Sequence, residues 1–399
     1  MKIIVIGGGA AGFFTAINIA EKHPGYEVTI LEKTAKVLQK VKVSGGGRCN
    51  VTNARKMPSE LAAFYPRGSK KLHSVFKRYS TTDMVSWLAS RGVSTKAEPD
   101  QRMFPTTDDS QTIIDCFQQE VSKHGVKIHL NSPLVALKQE AGKWHIETHK
   151  ETLEADRVVV ATGSSPAMWK LLEKVGLSIT EIVPSLFTFN IADERIKDLQ
   201  GVSFNDAEVK VAGTKLKETG PLLITHWGLS GPAVLKLSAW GAYELNDRKY
   251  QFEVLINFTS GLKPDEIREH LLGYKIAHPK RKVVNYPLFD LPKRFWERMV
   301  SLCGVSDQTS FSELSKKSLN KLVEELGQGR YQVNGKSTFK EEFVTAGGVA
   351  LSEVNLETFE CRRFPGLFMA GEVLDIDALT GGFNFQACWS AGWVISESV

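Results

Sequence analysis

Hydrophobic and polar positions follow two periods along this chain. Residues 2–6 form a short apolar run that breaks into glycines. Apolar positions then recur at helical spacing over Ala10–Lys22, and a second apolar run covers residues 27–31. That order predicts two parallel strands around a helix. Residues 58–91 read as helical in pieces, with Thr81-Thr-Asp-Met-Val-Ser-Trp-Leu88 a capped helix. Short strands are expected near 93–104, a helix over 110–124, and strands at 126–130, 133–139, 143–149 and 152–155, with a turn at Ala141-Gly142. Arg157-Val-Val-Val-Ala-Thr-Gly163 is apolar throughout, as a buried parallel strand should be.

The pattern changes after Pro184. Strands are expected at 186–191, 202–211 and 250–258, then helices at 264–273, 292–302 and 311–326. Without βα alternation, 186–344 reads as an inserted α+β domain, part β and part helical. The first pattern resumes at Phe343-Val-Thr-Ala-Gly-Gly-Val349 and ends with a strand at Gly366–Ala370 and a helix from about Asn384. The expected fold class is therefore α/β, a discontinuous Rossmann-like domain of residues 1–185 and 345–399 interrupted by the insert.

The strongest motif lies in the first βαβ unit. Gly7-x-Gly9-x-x-Gly12 follows a strand and opens a helix, and Glu32 closes the second strand 20 residues later. This is a dinucleotide fingerprint in its full context. Gly7 allows the tight turn, Gly9 lets a pyrophosphate approach the backbone, and Gly12 lets the helix pack closely. The helix N-terminus presents free N–H groups, Ala11 among them, to the phosphates. Glu32, beside Lys33, can accept from ribose hydroxyls and disfavours a 2′-phosphate. No second Gly-x-Gly-x-x-Gly follows a strand, so a separate nicotinamide domain is not expected.

Composition narrows the class. At 399 residues the chain exceeds one compact core. No apolar run reaches membrane-spanning length, and the chain opens into a strand without a signal pattern, so no membrane association and a cytoplasmic location are expected. The five cysteines are scattered with no Cys-x-x-Cys pair, which argues against a disulfide scaffold, a metal site or a redox dithiol. Net charge is +5, but Lys33–Ser80 holds twelve Lys or Arg against one acid, Glu60, and the rest of the chain is net acidic. Segment 33–80 can therefore contact phosphates.

Three further segments carry chemistry. Ser44-Gly-Gly-Gly-Arg-Cys-Asn50 offers backbone amides and a cation to phosphate oxygens; Arg48 could lower the pKa of Cys49, although a small residue in a tight loop explains Cys49 more simply. Gly371-Glu372 ends the late strand, where an acid can hold ribitol or ribose hydroxyls, and Gly381-Gly382 leads into the final helix. In the insert, Thr225-His-Trp-Gly-Leu-Ser-Gly-Pro232 places His226 in a loop as a candidate acid or base, with Ser230 expected to cap the next helix.

Together these motifs, with Val160-Ala-Thr-Gly163, Thr345-Ala-Gly-Gly348 and Gly381-Gly-Phe-Asn-Phe-Gln386, resemble the BaiN / YhiN / aminoacetone-oxidase-like flavoprotein family over almost the whole chain. Lys42 departs from the apolar residue usual there. The resemblance implies FAD in a glutathione-reductase-type Rossmann site, and an insert with a β-barrel-like part covering the substrate face. It implies Glu32 on the adenosine ribose and Gly46, Gly47 and Arg48 along the pyrophosphate and flavin, with Asn50 in the same loop. It also implies Thr162 and Gly163 beside the adenylate, and Gly371, Glu372, Gly382, Asn384 and Gln386 closing on ribitol and flavin. The activity implied is hydride transfer between flavin and an organic substrate, with NADH or NADPH as a transient reductant. Reduction of a C=C bond, of a uridine in ribosomal RNA, oxidation of an amine, and a flavin-bound binding protein without turnover all stay open. His226 and, more weakly, Cys49 are the candidate catalytic residues.

Overall fold

A computed structural model describes residues 1–337 and 344–399, and Phe343 lies outside the described residues. The described chain divides into two compact units, 1–184 with 344–399, and 185–337.

The first unit is built on a parallel sheet. β1 (Lys2–Ile6) leads through α1 (Ala10–Lys22) to β2 (Glu27–Leu31), and the amphipathic helix α2 (Ser69–Arg78) follows. β3 (Lys127–His129) and β4 (Arg157–Val160) flank the first pair, and β5 (Leu367–Met369) joins β4. The parallel order is β5-β4-β1-β2-β3, with two short antiparallel strands, Glu360–Cys361 and Val354–Asn355, at the β5 edge. The apolar run Ile3–Ile6 is buried because β1 is central and covered on both faces. The last helix, α3 (Phe383–Ser398), packs along α1. Phe14 of α1 lies 5.3 Å from Trp389 of α3 and 5.0 Å from Trp87 between ring centroids. These contacts lock the N-terminal and C-terminal segments into one core.

Two small antiparallel sheets decorate this unit. One joins Thr52–Asn53, Arg102–Pro105 and Thr95–Ala97, and the other Leu134–Glu140, Lys143–Thr148 and Thr152–Ala155. The expected turn at Ala141-Gly142 has both residues left-handed, φ 47° and 79°. Thr81–Ala89 begins with a capping box between Ser80 and Asp83.

The second unit holds a seven-stranded antiparallel sheet. Its order is Gly329–Asn334, Gln251–Asn257, Ser203–Val211, Lys217–Ile224, Gly228–Ser230, Thr188–Asn190 and Lys336–Ser337. The strands at 217–224, 228–230 and 329–334 were not expected from sequence. Polar alternation in Lys-Glu-Thr-Gly-Pro (217–221) and a preceding helix at 316–328 hide them. The helices at Pro264–Ala277, Lys293–Leu302 and Lys316–Gln328 agree with the helical periodicity. Phe204, Phe258 and Phe295 meet at 4.6–4.8 Å in its core. Ser230 does not cap the following helix. It lies in a strand, and Gly231 at φ 97° takes the cap position before Pro232. Among the described residues no helix is long and apolar enough to cross a membrane.

Candidate cofactor site

The turn after β1 is tight for steric reasons. Gly7 donates its N–H to the Leu31 carbonyl at 2.8 Å, and a Cβ on Gly7 would be driven into the Ala161 carbonyl. A Cβ on Gly12 would collide with the Gly7 carbonyl. Gly9 differs, because a Cβ there would meet nothing within 4 Å. The first intrahelical bond, Phe13 N–H to the Gly9 carbonyl at 3.0 Å, leaves the N–H groups of Ala10, Ala11 and Gly12 without helical acceptors. Gly9 and the helix end therefore form an open, electropositive cradle.

Glu32 stands at the rim of this cradle. One carboxylate oxygen accepts from the Gly8 N–H at 2.8 Å, and the other accepts from Thr34 N–H and Oγ1, both at 2.9 Å. These bonds fix the carboxylate and leave lone pairs for a vicinal diol. Ala11 is buried beneath the cradle and Lys33 is exposed beside it. Thr162 Oγ1 is buried without a hydrogen-bond partner, next to Gly163. A buried hydroxyl in that state costs free energy unless a ligand satisfies it. Across from Gly163, Glu372 follows Gly371 and pairs with Lys40 at 2.6 Å, with Ser164 Oγ at 3.4 Å. Lys40 and Ser164 carried no local signal, because Glu372 lies 332 positions from Lys40.

The glycine loop uses its residues unevenly. Gly46 and Gly47 are left-handed, φ 70° and 84°, and face open space. A Cβ on Gly45 would press on Asn50 N and the Phe104 ring, each at 2.9 Å. Arg48 turns away from the glycines. It pairs with Glu98 at 2.7 Å and Asp108 at 3.6 Å and lies over Phe104 at 4.0 Å. The expected activation of Cys49 is overturned. Its side chain is fully buried, and burial pushes the thiol up to about 12 against the opposing hydrogen bond with Ser44. With its amide oxygen toward Gly382 N–H at 2.9 Å, Asn50 donates to the Met103 and Thr52 carbonyls. It ties the loop to the entrance of α3.

That entrance is built across the chain. Gly382 is left-handed at φ 87°, and a Cβ there would strike the Thr52 carbonyl. Asn384 pairs its amide with the N–H and carbonyl of Ala378 at 2.9 and 3.0 Å, shaping the loop before the helix. Gln386 is fully buried, accepting from Thr52 Oγ1 at 2.7 Å and donating to Ser390 Oγ at 3.0 Å. Its expected place on the ribitol and flavin is corrected to an interior role, since those partners draw it inward. Arg67, just before α2, forms a two-armed pair with the fully buried Asp377 and pins the same loop.

In the second unit His226 lies exposed in a tight hairpin loop. The Thr225 N–H donates to the Gly228 carbonyl at 2.8 Å, and Trp227 Nε1 donates to Thr188 Oγ1 at 3.0 Å. The loop borders a cleft of about 660 Å³ lined by Asn190, Ile191, Gln200, His226, Trp227 and Asn334 among others.

The basic segment splits by residue type. Arg48, Arg55, Arg67 and Arg78 are held by Glu98, Asn53, Asp377 and Glu397 respectively. Lys40 pairs with Glu372, whereas Lys33, Lys36, Lys42, Lys56, Lys70, Lys71 and Lys77 are exposed. None of these seven has an ion pair among the described residues.

The open glycine cradle, the orphaned hydroxyl and the two flanking carboxylates fit an anionic dinucleotide with free ribose hydroxyls. Comparison with known proteins agrees. The model of the HI0933-like protein Rossmann domain matches residues 1–398. A ribosomal RNA dihydrouridine synthase of Escherichia coli (strain K12) is 30% identical over 409 residues, covering 99% of this chain and 97% of that protein. A 3-dehydro-bile acid delta(4,6)-reductase of Clostridium scindens is 26% identical over 410 residues, covering 100% and 98%. The structure of 3-ketosteroid-delta4-(5alpha)-dehydrogenase from Rhodococcus jostii RHA1 shares the fold, with TM-score 0.50, 14% identity, and coverage of 99% and 97%.

Proposed function

The chain belongs to the HI0933-like Rossmann-domain family, and on that premise we propose that this FAD-dependent oxidoreductase reduces the C5–C6 double bond of a uridine in ribosomal RNA. The observation that carries the substrate is the set of seven exposed lysines in segment 33–80 that form no ion pair among the described residues. A small neutral substrate needs no such surface, whereas a phosphate backbone is held by one. The relative of highest identity cited above, the dihydrouridine synthase, supports the same reading.

Bound and reduced, FAD supplies the hydride. Gly9 and the start of α1 would receive the pyrophosphate, Glu32 the adenosine ribose, and Gly46 and Gly47 the approach of the remaining cofactor. Thr162 and Glu372 would meet its hydroxyls and phosphates from the β4 and β5 ends. The one proton that completes the addition must come from a general acid. Cys49 is a poor source, being buried with a raised pKa. His226, exposed in its loop, is the proposed donor. NADH or NADPH is the proposed transient reductant, acting without a Rossmann site of its own.

Mass spectrometry of ribosomal RNA nucleosides from a strain lacking this chain tests the reading. One dihydrouridine should disappear and return on complementation. An unchanged nucleoside profile would sink the proposal. The second reading, reduction of a small enone, is favoured by the 660 Å³ cleft of the second unit, which is of ligand size. It requires steady turnover of an isolated enone with nicotinamide, and slow reoxidation by oxygen in stopped flow.

A further inference from the structure

We infer that the outer face of α2 is the RNA-backbone contact, placing phosphates next to the loop that closes the cofactor site. This inference rests on the RNA reading above. Lys70, Ser74 and Lys77 recur at helical spacing along α2, with Lys71 at their side, and all four are exposed. Leu72, Val75 and Phe76 bury the opposite face. The helix therefore cannot roll the lysines inward without exposing its core.

The two arginines that bracket the helix are committed. Arg67 holds the buried Asp377, and Arg78 holds Glu397 at 2.6 Å and the Glu357 carbonyl. Lys70, Lys71 and Lys77 between them form no ion pair among the described residues, and Asp375 is near enough to Lys71 to feel its charge. Lys70 to Lys77 spans about 10 Å at 1.5 Å per residue, enough to meet successive backbone phosphates. A merely solvated face would not require its cations to be spared from neighbouring carboxylates in this way.

The position of the helix supplies the second argument. Arg67 and Asp377 join the start of α2 to the segment between Gly371 and Gly382. A Cβ on Gly68 would lie 3.3 Å from Ile376, so the helix start touches that segment directly. Phosphates held on α2 would flank a nucleotide presented at the same end of this unit. The occupant is a polyanionic strand, since point-charge lysines neutralise phosphates without reading bases.

The test uses the FAD-loaded full chain and unmodified ribosomal RNA transcribed in vitro. Binding is measured against salt for wild type, for Lys70→Glu/Lys71→Glu/Lys77→Glu, and for the charge-matched control Lys138→Glu/Lys170→Glu/Lys174→Glu. The α2 variant should bind at least tenfold more weakly and lose about 2–3 from the salt slope, at 0.7–0.9 per phosphate contact. The control should keep the wild-type slope, and both should keep their FAD. If the Glu variant loses FAD, the Lys→Gln set replaces it. An α2 variant that binds like wild type, or a control that weakens equally, overturns this inference and leaves the RNA reading standing. A wild type with no salt-dependent RNA binding overturns the RNA reading and this inference with it.

Discussion

Two glycine-rich regions of the first unit look alike in sequence and answer to different forces. In the Gly7–Gly12 turn, Gly7 and Gly12 are blocked by backbone and Gly8 by the Val37 and Glu32 side chains, and only Gly9 opens onto free space. Most of the turn is set by residues near it in the chain, and the Ala161 carbonyl just after β4 closes it over Gly7. Around Gly45–Asn50 and Gly381-Gly382 the constraint runs between segments, with Asn50 bonded to Gly382 and Thr52 bonded to Gln386 across 334 positions. The first region is a local steric device. The second exists only once the final helix has docked.

Gly12→Ala should have the largest effect, since its Cβ has no room beside the Gly7 carbonyl. We expect little soluble, FAD-bearing protein, whereas Gly9→Ala should fold with a normal melting temperature and lose FAD retention. Equal behaviour of the two in thermal denaturation and flavin absorbance would erase the distinction between blocked and open glycines.

Next is the assembled region. Arg67→Leu removes one partner of a buried pair and should cost about 3–5 kcal/mol in urea denaturation. A loss below about 1 kcal/mol would mean that the Gly371–Gly382 segment holds itself in place.

Gly46→Ala should be milder. Its left-handed backbone costs an L-residue about 1–2 kcal/mol, and the added methyl meets only open space. FAD affinity should fall by more than this stability loss, read by equilibrium titration of the apoprotein. Arg48→Ala should leave stability nearly unchanged, because its pairs are partly exposed and screened by solvent. A large loss of FAD affinity in that variant would restore Arg48 to the phosphate role expected from sequence.

The smallest effect concerns pH. Burial raises the thiols of Cys49, Cys303 and Cys388 to about 12, above their ordinary value of 9.0. The folded state thus favours the neutral thiols. Their contribution is fully present below about pH 9 and is lost as pH rises toward 12. Native protein at pH 8 should resist iodoacetamide at Cys49, and rapid modification there would show that the loop opens.

Much of the first unit was legible beforehand. The helix Ala10–Lys22 and the strands Lys2–Ile6 and Glu27–Leu31 match their expected ranges, because periodicity and fingerprint agree there. Legibility failed where tertiary partners outweighed local signals. Arg48 beside three glycines reads as a phosphate ligand, yet Glu98 and Asp108 reach it across a hairpin. Gln386 reads as part of a flavin motif, yet Thr52 and Ser390 hold it inside. In the second unit, Lys217–Ile224 became a strand by pairing on both edges, which its own alternation did not announce.

The sequence by itself determined most of the dinucleotide turn, because the contact of Gly12 with the Gly7 carbonyl lies within one βαβ unit, whereas the limit on Gly7 comes from Ala161. It also determined the excess of cations in segment 33–80, because charge is counted without coordinates. Only the tertiary structure decided which cations are spent. Arg48, Arg67 and Arg78 found carboxylates from distant segments, and seven lysines were left facing solvent. Ion pairing depends on which acids arrive within about 4 Å, and that is a property of the folded chain alone.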